Sequence, residues 1–293
     1  MEKLTARNYY DYLPRLGANG AESKKTRFIA QLGGCVKPSF MIIGAQKAGT
    51  SALHAMLSKN ESIEQPMRKE VHYFDVDELY NSMGVDYYHS FFPRRPIFKK
   101  LGLKYTTDNG QLTFESTPDY LYHPKAAERI FAYNPNIKLI VVLRDPSQRA
   151  YSGWNMYRSY ENHKLYSHQF ETRSFGLAIS DEMKVVENEG WYDDPRGYVR
   201  RGLYARQLKL FLTFFDRTQL LVLNQKELKN NAQGVVEKVC DFLSIAPNKV
   251  DNEQIHKRTY EEPYPNEILD TLSEFYEPHN RDLFDLLGFE INW

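Results

Sequence analysis

A phosphate-binding loop is the clearest chemical signal in this sequence. An apolar run at residues 40–43 leads into Gly44-Ala-Gln-Lys-Ala-Gly-Thr-Ser51, and a helical pattern follows. Glycines between a strand and a helix let backbone N–H groups converge on a phosphate, and the helix N-terminus adds partial positive charge. The loop departs from the nucleotide triphosphatase pattern G-x-x-x-x-G-K-[ST], because Thr50 occupies the lysine position and Lys47 lies inside the loop.

The displaced lysine indicates which phosphate is bound. In nucleotide triphosphatases the lysine after the second glycine reaches the β- and γ-phosphates, so its absence argues against a triphosphate. Lys47 suits a single 5′-phosphate and the group bonded to it. A second predicted strand, 138–143, is followed by Arg144, where a nucleotide triphosphatase presents an acid for magnesium. Arginine there suits metal-free binding of another phosphate. The two strand ends together predict a nucleotide with phosphates at two places.

Other interpretations of these residues stay open at this point. A glycine-bounded string alone is often a simple turn, and Arg144 alone often pairs with a neighbour such as Asp145. Two rival functions are a P-loop kinase or nucleotide triphosphatase, and a non-catalytic nucleotide-binding module. Thr50 and Arg144 argue against the first, and the carboxylate of Glu70 argues against the second.

The elements that must position these residues form an α/β pattern. A helix is predicted at 51–57, and one or two helices are predicted between 265 and 287. Buried strands are predicted at 40–43, 112–115, 138–143 and 219–223. Alternating strands and helices indicate a mostly parallel sheet covered on both faces, with ligands at the carboxyl ends of the strands. We expect an N-terminal extension at 1–37 (lid, arm or disordered tail) and one domain at 38–293.

Composition narrows the class of protein. The chain has 38 basic and 38 acidic residues among 293, so no basic excess favours nucleic acid or anionic membranes. Its apolar runs are far shorter than the roughly 20 residues that span a bilayer. We see no signal peptide, and Cys35 and Cys240 are too few for a metal cluster or a disulfide scaffold. These observations predict a cytoplasmic protein without a metal; its oligomeric state is not readable.

Four sequence blocks resemble the sulfotransferases that use 3′-phosphoadenosine 5′-phosphosulfate (PAPS). They are similar in particular to the heparan-sulfate-type branch, with its N- and 3-O-sulfotransferases, and to bacterial relatives of that branch. The blocks are the phosphate loop at 40–51, Lys-Glu-Val-His-Tyr-Phe-Asp at 69–75, Leu-Arg-Asp-Pro-Ser-Gln-Arg-Ala-Tyr-Ser at 143–152, and the C-terminal stretch 274–293. The resemblance runs from about 38 to 293 and implies the P-loop-type parallel sheet of the sulfotransferase fold, flanked by helices.

The resemblance also implies roles for individual residues. Lys47 would contact the bridge between phosphate and sulfate, Glu70 would be the catalytic base, and His72 would lie beside it in the acceptor site. The remaining residues implied to bind PAPS, or its product 3′,5′-ADP, are Ala48, Gly49, Thr50 and Ser51 at the 5′-phosphate, Arg144 and Ser152 at the 3′-phosphate, and Arg258 in a closing loop. For His72 the alternative is a structural histidine.

Two departures from the family pattern concern the acceptor. The heparan enzymes usually have a lysine where this chain has Ser116, and the C-terminal disulfide loop of the animal enzymes is absent. The missing disulfide loop argues against a Golgi or extracellular heparan enzyme. Ser116 and the zero net charge argue against a highly anionic polysaccharide as acceptor. We therefore expect a bacterial-type, metal-independent enzyme that transfers a sulfuryl group in line to a hydroxyl or an amine. The acceptor is a saccharide, a lipid-linked sugar or a small natural product, and the sequence does not choose among them.

Overall fold

A computed structural model describes the chain in five ranges. They are residues 34–93, 111–164, 166–186, 196–250 and 265–293. Most of the predicted N-terminal extension, and the predicted cofactor residue Arg258, lie outside the described residues. The proposed boundary at residue 38 stays a prediction.

A parallel sheet forms the centre of the described structure. Its strands are β1 (Phe40–Gly44), β2 (Ile63–Glu64), β3 (Leu112–Ser116), β4 (Lys138–Leu143) and β5 (Leu220–Asn224), in the order β2-β3-β1-β4-β5. Every described strand pair is parallel. The four predicted strands are present to within one residue at each end. β2 was not predicted, because two residues are too short to show a periodic pattern.

Ten α-helices pack around this sheet in the described ranges. They are α1 (Thr50–Leu57), α2 (Asp77–Met83), α3 (Val85–His89), α4 (Ala126–Tyr133), α5 (Pro146–Arg158), α6 (Phe175–Val185), α7 (Tyr204–Leu212), α8 (Gln225–Asn230), α9 (Ala232–Leu243) and α10 (Asn266–Leu287). The predicted fold class, a parallel α/β sheet flanked by helices in a single domain, is confirmed.

The C-terminal region is one helix rather than two, although Pro278 lies inside it. An internal proline costs a helix about 3 kcal/mol, because it removes one hydrogen bond and crowds the preceding turn. α10 buries Leu272 and Tyr276 before the proline and Leu283 after it. Burial of apolar side chains on both sides offsets that cost and keeps the helix continuous.

The two middle strands are buried on both faces. In β1, Phe40 through Ile43 have no exposed surface, and the same holds for Leu139 through Leu143 in β4. A strand with no polar alternation is typical of a parallel sheet whose two faces are both covered by helices. The polar chemistry of the molecule is therefore confined to the strand ends and the loops that follow them.

Gly44, the last residue of β1, lies under a 3₁₀ turn at Pro118–Leu121 that follows β3. A Cβ atom at this position would be 2.6 Å from the Cβ of Leu121 and 3.2 Å from the carbonyl oxygen of Pro118. Only glycine allows this close approach, so the first glycine of the phosphate loop has a packing role.

We expect the substitution Gly44→Ala to lower the free energy of unfolding by about 1–3 kcal/mol, because the added methyl group overpacks a buried contact. Urea unfolding followed by circular dichroism measures the change. Gly176→Ala is the matched control, since its Cβ would meet only the flexible end of Ile268, at 3.0 Å. Equal stabilities for the two variants would contradict this account of Gly44.

Candidate active site

The phosphate loop connects β1 to α1 at the carboxyl edge of the sheet. The Ala45 N–H donates to the carbonyl oxygen of Val142 (2.8 Å), which ties the start of the loop to β4. Gly49 has φ of 100° and is the residue before α1, so the second glycine is required by backbone conformation. Thr50 and Ser51 open the helix, where N–H groups have no acceptor within the helix and suit an anion. Ala48 is buried inside the loop.

Lys47 has an unusual backbone conformation for a non-glycine residue. Its φ of 69° places it in the left-handed region, which costs about 1–2 kcal/mol. The lysine carbonyl accepts a hydrogen bond from Arg144 Nη1 at 3.2 Å. The contact holds this strained residue against the end of β4. Strain of this kind is concentrated at functional sites.

Arg144 follows β4 directly, next to the loop that follows β1. Its own carbonyl accepts a hydrogen bond from the Tyr204 hydroxyl (2.9 Å), at the first residue of α7. The side-chain Nε is buried, and nothing in the described ranges accepts a hydrogen bond from it. A buried cationic donor without an acceptor is costly unless an anion reaches it. That Arg144 binds a phosphate stays a prediction.

Ser152 lies on α5, the helix that begins directly after Arg144 and Asp145. The Asp145 side chain caps this helix by accepting from the Gln148 N–H (2.8 Å). Ser152 is 3% exposed. The structure thus places both predicted 3′-phosphate residues on one strand–helix unit, and their role in binding stays a prediction.

The acidic segment at 69–75 reaches the same edge of the sheet at the end of β3, on the side of β1 away from β4. The Glu70 N–H donates to the carbonyl oxygen of Ser116 (3.2 Å), and the His72 N–H donates to Thr117 Oγ1 (3.5 Å). Ser116 ends β3, which pairs with β1. Glu70 and His72 both have positive φ, 61° and 57°. The segment therefore crosses the end of β3, beside the strand that carries the phosphate loop.

Glu70 is the accessible carboxylate of this segment, with 40% of its side chain exposed. Lys69 Nζ forms an ion pair with one of its oxygens, and His72 Nε2 lies 4.0 Å from the other. A carboxylate in this position is open to a hydroxyl that approaches from solvent, which general-base catalysis requires.

His72 is buried and belongs to a network of charged groups. Its Nδ1 lies 2.8 Å from Asp75 Oδ2, and ligand atoms of His72, Asp75 and Asp119 lie within 4.8 Å of one another. Asp119 forms an ion pair with Arg201 at 2.5 Å. Burial by itself lowers the pKa of His72. The carboxylates of Asp75, Asp119 and Glu70 outweigh burial and raise that pKa to about 9.

The same three ligand atoms are spaced closely enough to share a metal ion. Asp119 is already paired with Arg201, however, and a protonated imidazole is not a metal ligand. Metal independence, as expected from the sequence, stays a prediction.

Sequence reasoning missed three residues that hold the site in place, namely Asp119, Arg201 and Tyr204. No local pattern marks them, because their partners lie 82 and 60 residues away along the chain. It also missed Glu115, which is fully buried at the end of β3 and accepts hydrogen bonds from three hydroxyl groups, those of Thr117, Tyr120 and Tyr88. Ser116, which occupies the family's lysine position, is buried, and its Oγ has no partner in the described part of the chain.

Comparison with known proteins agrees with this fold. The model of the sulfotransferase domain family matches residues 37–274. Human bifunctional heparan sulfate N-deacetylase/N-sulfotransferase 3 is 30% identical over 221 residues, which are 72% of this chain and 23% of that protein. Human heparan sulfate glucosamine 3-O-sulfotransferase 6 is 28% identical over 280 residues, covering 87% of this chain and 73% of the relative.

A solved sulfotransferase from Alicyclobacillus acidocaldarius has the same fold. It superposes with a TM-score of 0.66 and 27% identity, covering 87% of this chain and 98% of that structure. The chain belongs to the sulfotransferase domain family, and the resemblance seen in the sequence is confirmed. It spans about a quarter of the bifunctional relative's length. No helix in the described ranges is long and apolar enough to cross a bilayer.

The raised pKa of His72 predicts how stability depends on pH. Its folded value, about 9, lies above the usual 6.5, so the folded chain holds an extra proton between these pH values. The resulting stabilisation is complete below about pH 6.5 and is lost as the pH rises toward 9. We expect the free energy of unfolding to fall through this window, and to fall less steeply in His72→Gln.

Urea titrations between pH 6 and 9.5 measure the two slopes. His163→Gln, at an exposed histidine, serves as the control and should keep the wild-type slope. Parallel profiles for wild type and His72→Gln would contradict the assignment.

Proposed function

We propose that this sulfotransferase moves the sulfuryl group of PAPS to a hydroxyl of a saccharide or small natural-product acceptor and releases 3′,5′-ADP. The observation that carries the proposal is Arg144 at the end of β4, whose side chain is partly buried and whose Nε is fully buried. It lies against the phosphate loop that follows β1, and its Nε lacks an acceptor in the described residues. Two adjoining anion sites fit a nucleotide that carries phosphates at two places.

The chain divides donor binding between two strand–helix units. The helix N-terminus at Gly49, Thr50 and Ser51, with Ala48 beside it, would hold the 5′-phosphate. Arg144 and Ser152 would hold the 3′-phosphate, and Arg258 would complete this side, as the family resemblance implies. Lys47 would neutralise the charge that develops on the departing 5′-phosphate oxygen. The donor supplies an activated sulfuryl group whose S–O bond to that phosphate breaks as the acceptor oxygen binds to sulfur.

Glu70 would act on the acceptor. Its exposed carboxylate takes the proton from the acceptor hydroxyl as the new S–O bond forms. The location of Glu70 at the end of β3, next to β1, supports this assignment. His72 would lie beside Glu70 at the acceptor.

The acceptor class rests on the relatives and on local charge. The two human relatives are named for heparan sulfate. This chain has no net charge and has Ser116 where the heparan enzymes usually have a lysine. We therefore propose a neutral saccharide, a lipid-linked sugar or a small hydroxyl compound rather than a highly anionic polymer. A cytoplasmic location, expected from the sequence, stays a prediction.

The first test is binding of 3′,5′-ADP by calorimetric titration without magnesium. We expect wild type to bind, and Arg144→Ala to bind about 10- to 100-fold more weakly, because a charge-assisted hydrogen bond is worth roughly 1.5–3 kcal/mol. Arg217→Ala is the control, since Arg217 precedes β5 at the opposite edge of the sheet. Binding of ATP only, and only with magnesium, would favour the P-loop kinase instead.

The second test separates chemistry from binding. We expect Glu70→Gln to lower the transfer rate by about 10²- to 10⁴-fold, the usual contribution of a general base, while affinity for 3′,5′-ADP is unchanged. Transfer from ³⁵S-labelled PAPS to a panel of sugars and phenols measures the rate. Glu78→Gln, at an exposed carboxylate on α2, is the control. Tight nucleotide binding by wild type without transfer to any acceptor would support a non-catalytic binding module.

A further inference from the structure

Four charged side chains are buried together behind Glu70, and we call them the charge cluster: His72, Asp75, Asp119 and Arg201. Their exposed fractions are 6%, 1%, 4% and 2%. They come from three parts of the chain. His72 and Asp75 are in the acidic segment, Asp119 is in the 3₁₀ turn after β3, and Arg201 is in a second 3₁₀ turn at Arg200–Gly202.

The charge count of this cluster fixes the protonation state of His72. Two carboxylates and one guanidinium leave one unbalanced negative charge if the imidazole is neutral. A buried uncompensated charge is strongly unfavourable. An imidazolium at His72 brings the sum to zero, with Nδ1–H donating to Asp75 Oδ2.

Among the described residues, further titratable groups lie around the cluster. Arg149 is fully buried near Arg201, outside the cluster, and donates to backbone carbonyl oxygens at 3.1 and 3.3 Å. Glu70 faces Nε2 from 4.0 Å and adds negative charge on the solvent side. His123 lies near Asp119, and burial lowers its pKa to about 4, so it is neutral. Glu115 lies near Asp75, and burial raises its pKa, which favours its neutral form.

We propose that Asp119, held by Arg201, is a positioning residue that keeps His72 an imidazolium, with its Nε2–H presented toward Glu70 and the acceptor oxygen. The effect of this arrangement on catalysis rests on the proposed function. His72 then donates a hydrogen bond and does not accept the acceptor's proton, which goes to Glu70. Asp119 never touches the acceptor and acts only through His72.

The direct test is an NMR titration of the full chain labelled with ¹⁵N-histidine, from pH 5 to 10. The His72 signals are assigned by their loss in His72→Gln. We expect His72 in wild type to titrate well above the ordinary histidine range. In Asp119→Asn its midpoint should fall by about one pH unit or more, because a nearby charge of opposite sign is lost. Asp270→Asn, on the exposed face of α10, should leave the midpoint unchanged.

A double variant tests the charge count itself. Asp119→Asn leaves Arg201 to balance Asp75, which favours a neutral imidazole. Adding Arg201→Gln removes that positive charge, so the midpoint should rise again. Should Asp119→Asn fail to fold, the double variant is compared with wild type. Only Asp75 and His72 of the charge cluster then remain charged, so its midpoint should stay well above the ordinary histidine range. A wild-type midpoint near 6.5, an Asp119→Asn midpoint equal to wild type, or His72 signals that move on addition of EDTA or Zn²⁺ would overturn the proposal.

The pH dependence of the sulfuryl-transfer rate tests the catalytic consequence. The alkaline limb of the kcat profile should move to lower pH in Asp119→Asn, whereas a merely structural role would lower kcat equally at every pH. The NMR result does not depend on turnover. A high His72 midpoint without transfer to any acceptor would remove the proposed function and with it the catalytic consequence. Transfer with an ordinary midpoint would remove this inference alone.

Discussion

The parallel pairing of β3, β1 and β4 is the constraint on which the rest of the molecule depends. Phe40 of β1 lies opposite Phe114 on one side and Lys138 on the other, and the three strands run parallel, with a register shift between Ile42 and Gly44 where β1 pairs with β4. Because all three point the same way, three different loops emerge side by side at one edge. The loop after β1 is the phosphate loop, and the loop after β4 begins with Arg144. The loop after β3 is where the acidic segment is attached. An antiparallel β3 would have placed Glu70 at the opposite edge.

Backbone groups make many of the contacts that join these loops. Arg144 donates to the Lys47 carbonyl, Tyr204 donates to the Arg144 carbonyl, and the Glu70 N–H donates to the Ser116 carbonyl. A carbonyl or an N–H is present whatever the side chain. Position 116 illustrates the consequence, since serine anchors Glu70 through its backbone while its side chain leaves the family pattern. The frame of the site and its specificity are thereby set by different atoms.

Charge is distributed unevenly across the site. Positive groups and helix N-terminal N–H groups gather at the ends of β1 and β4, whereas carboxylates gather at the end of β3. The buried carboxylates are balanced by Arg201, by His72 or by hydroxyl donors, whereas the Glu70 side chain beside the end of β3 is 40% exposed. Burial thus separates carboxylates that shape the electrostatic environment from the one that we propose as the base.

The sequence by itself determined the four longer strands of the sheet, the phosphate loop, the family and the residues most suited to chemistry. Each of these depends on a local sequence pattern. The patterns are short apolar runs, a glycine-bounded loop, and an arginine directly after a strand. It did not reveal the two-residue β2 or the continuity of α10 across Pro278, because packing with distant residues outweighs local propensity in both. Only the tertiary structure decided that Asp119 and Arg201 lie behind His72. Their ion pair joins residues 82 apart, and both its electrostatic strength and its cost come from burial, which no local pattern records.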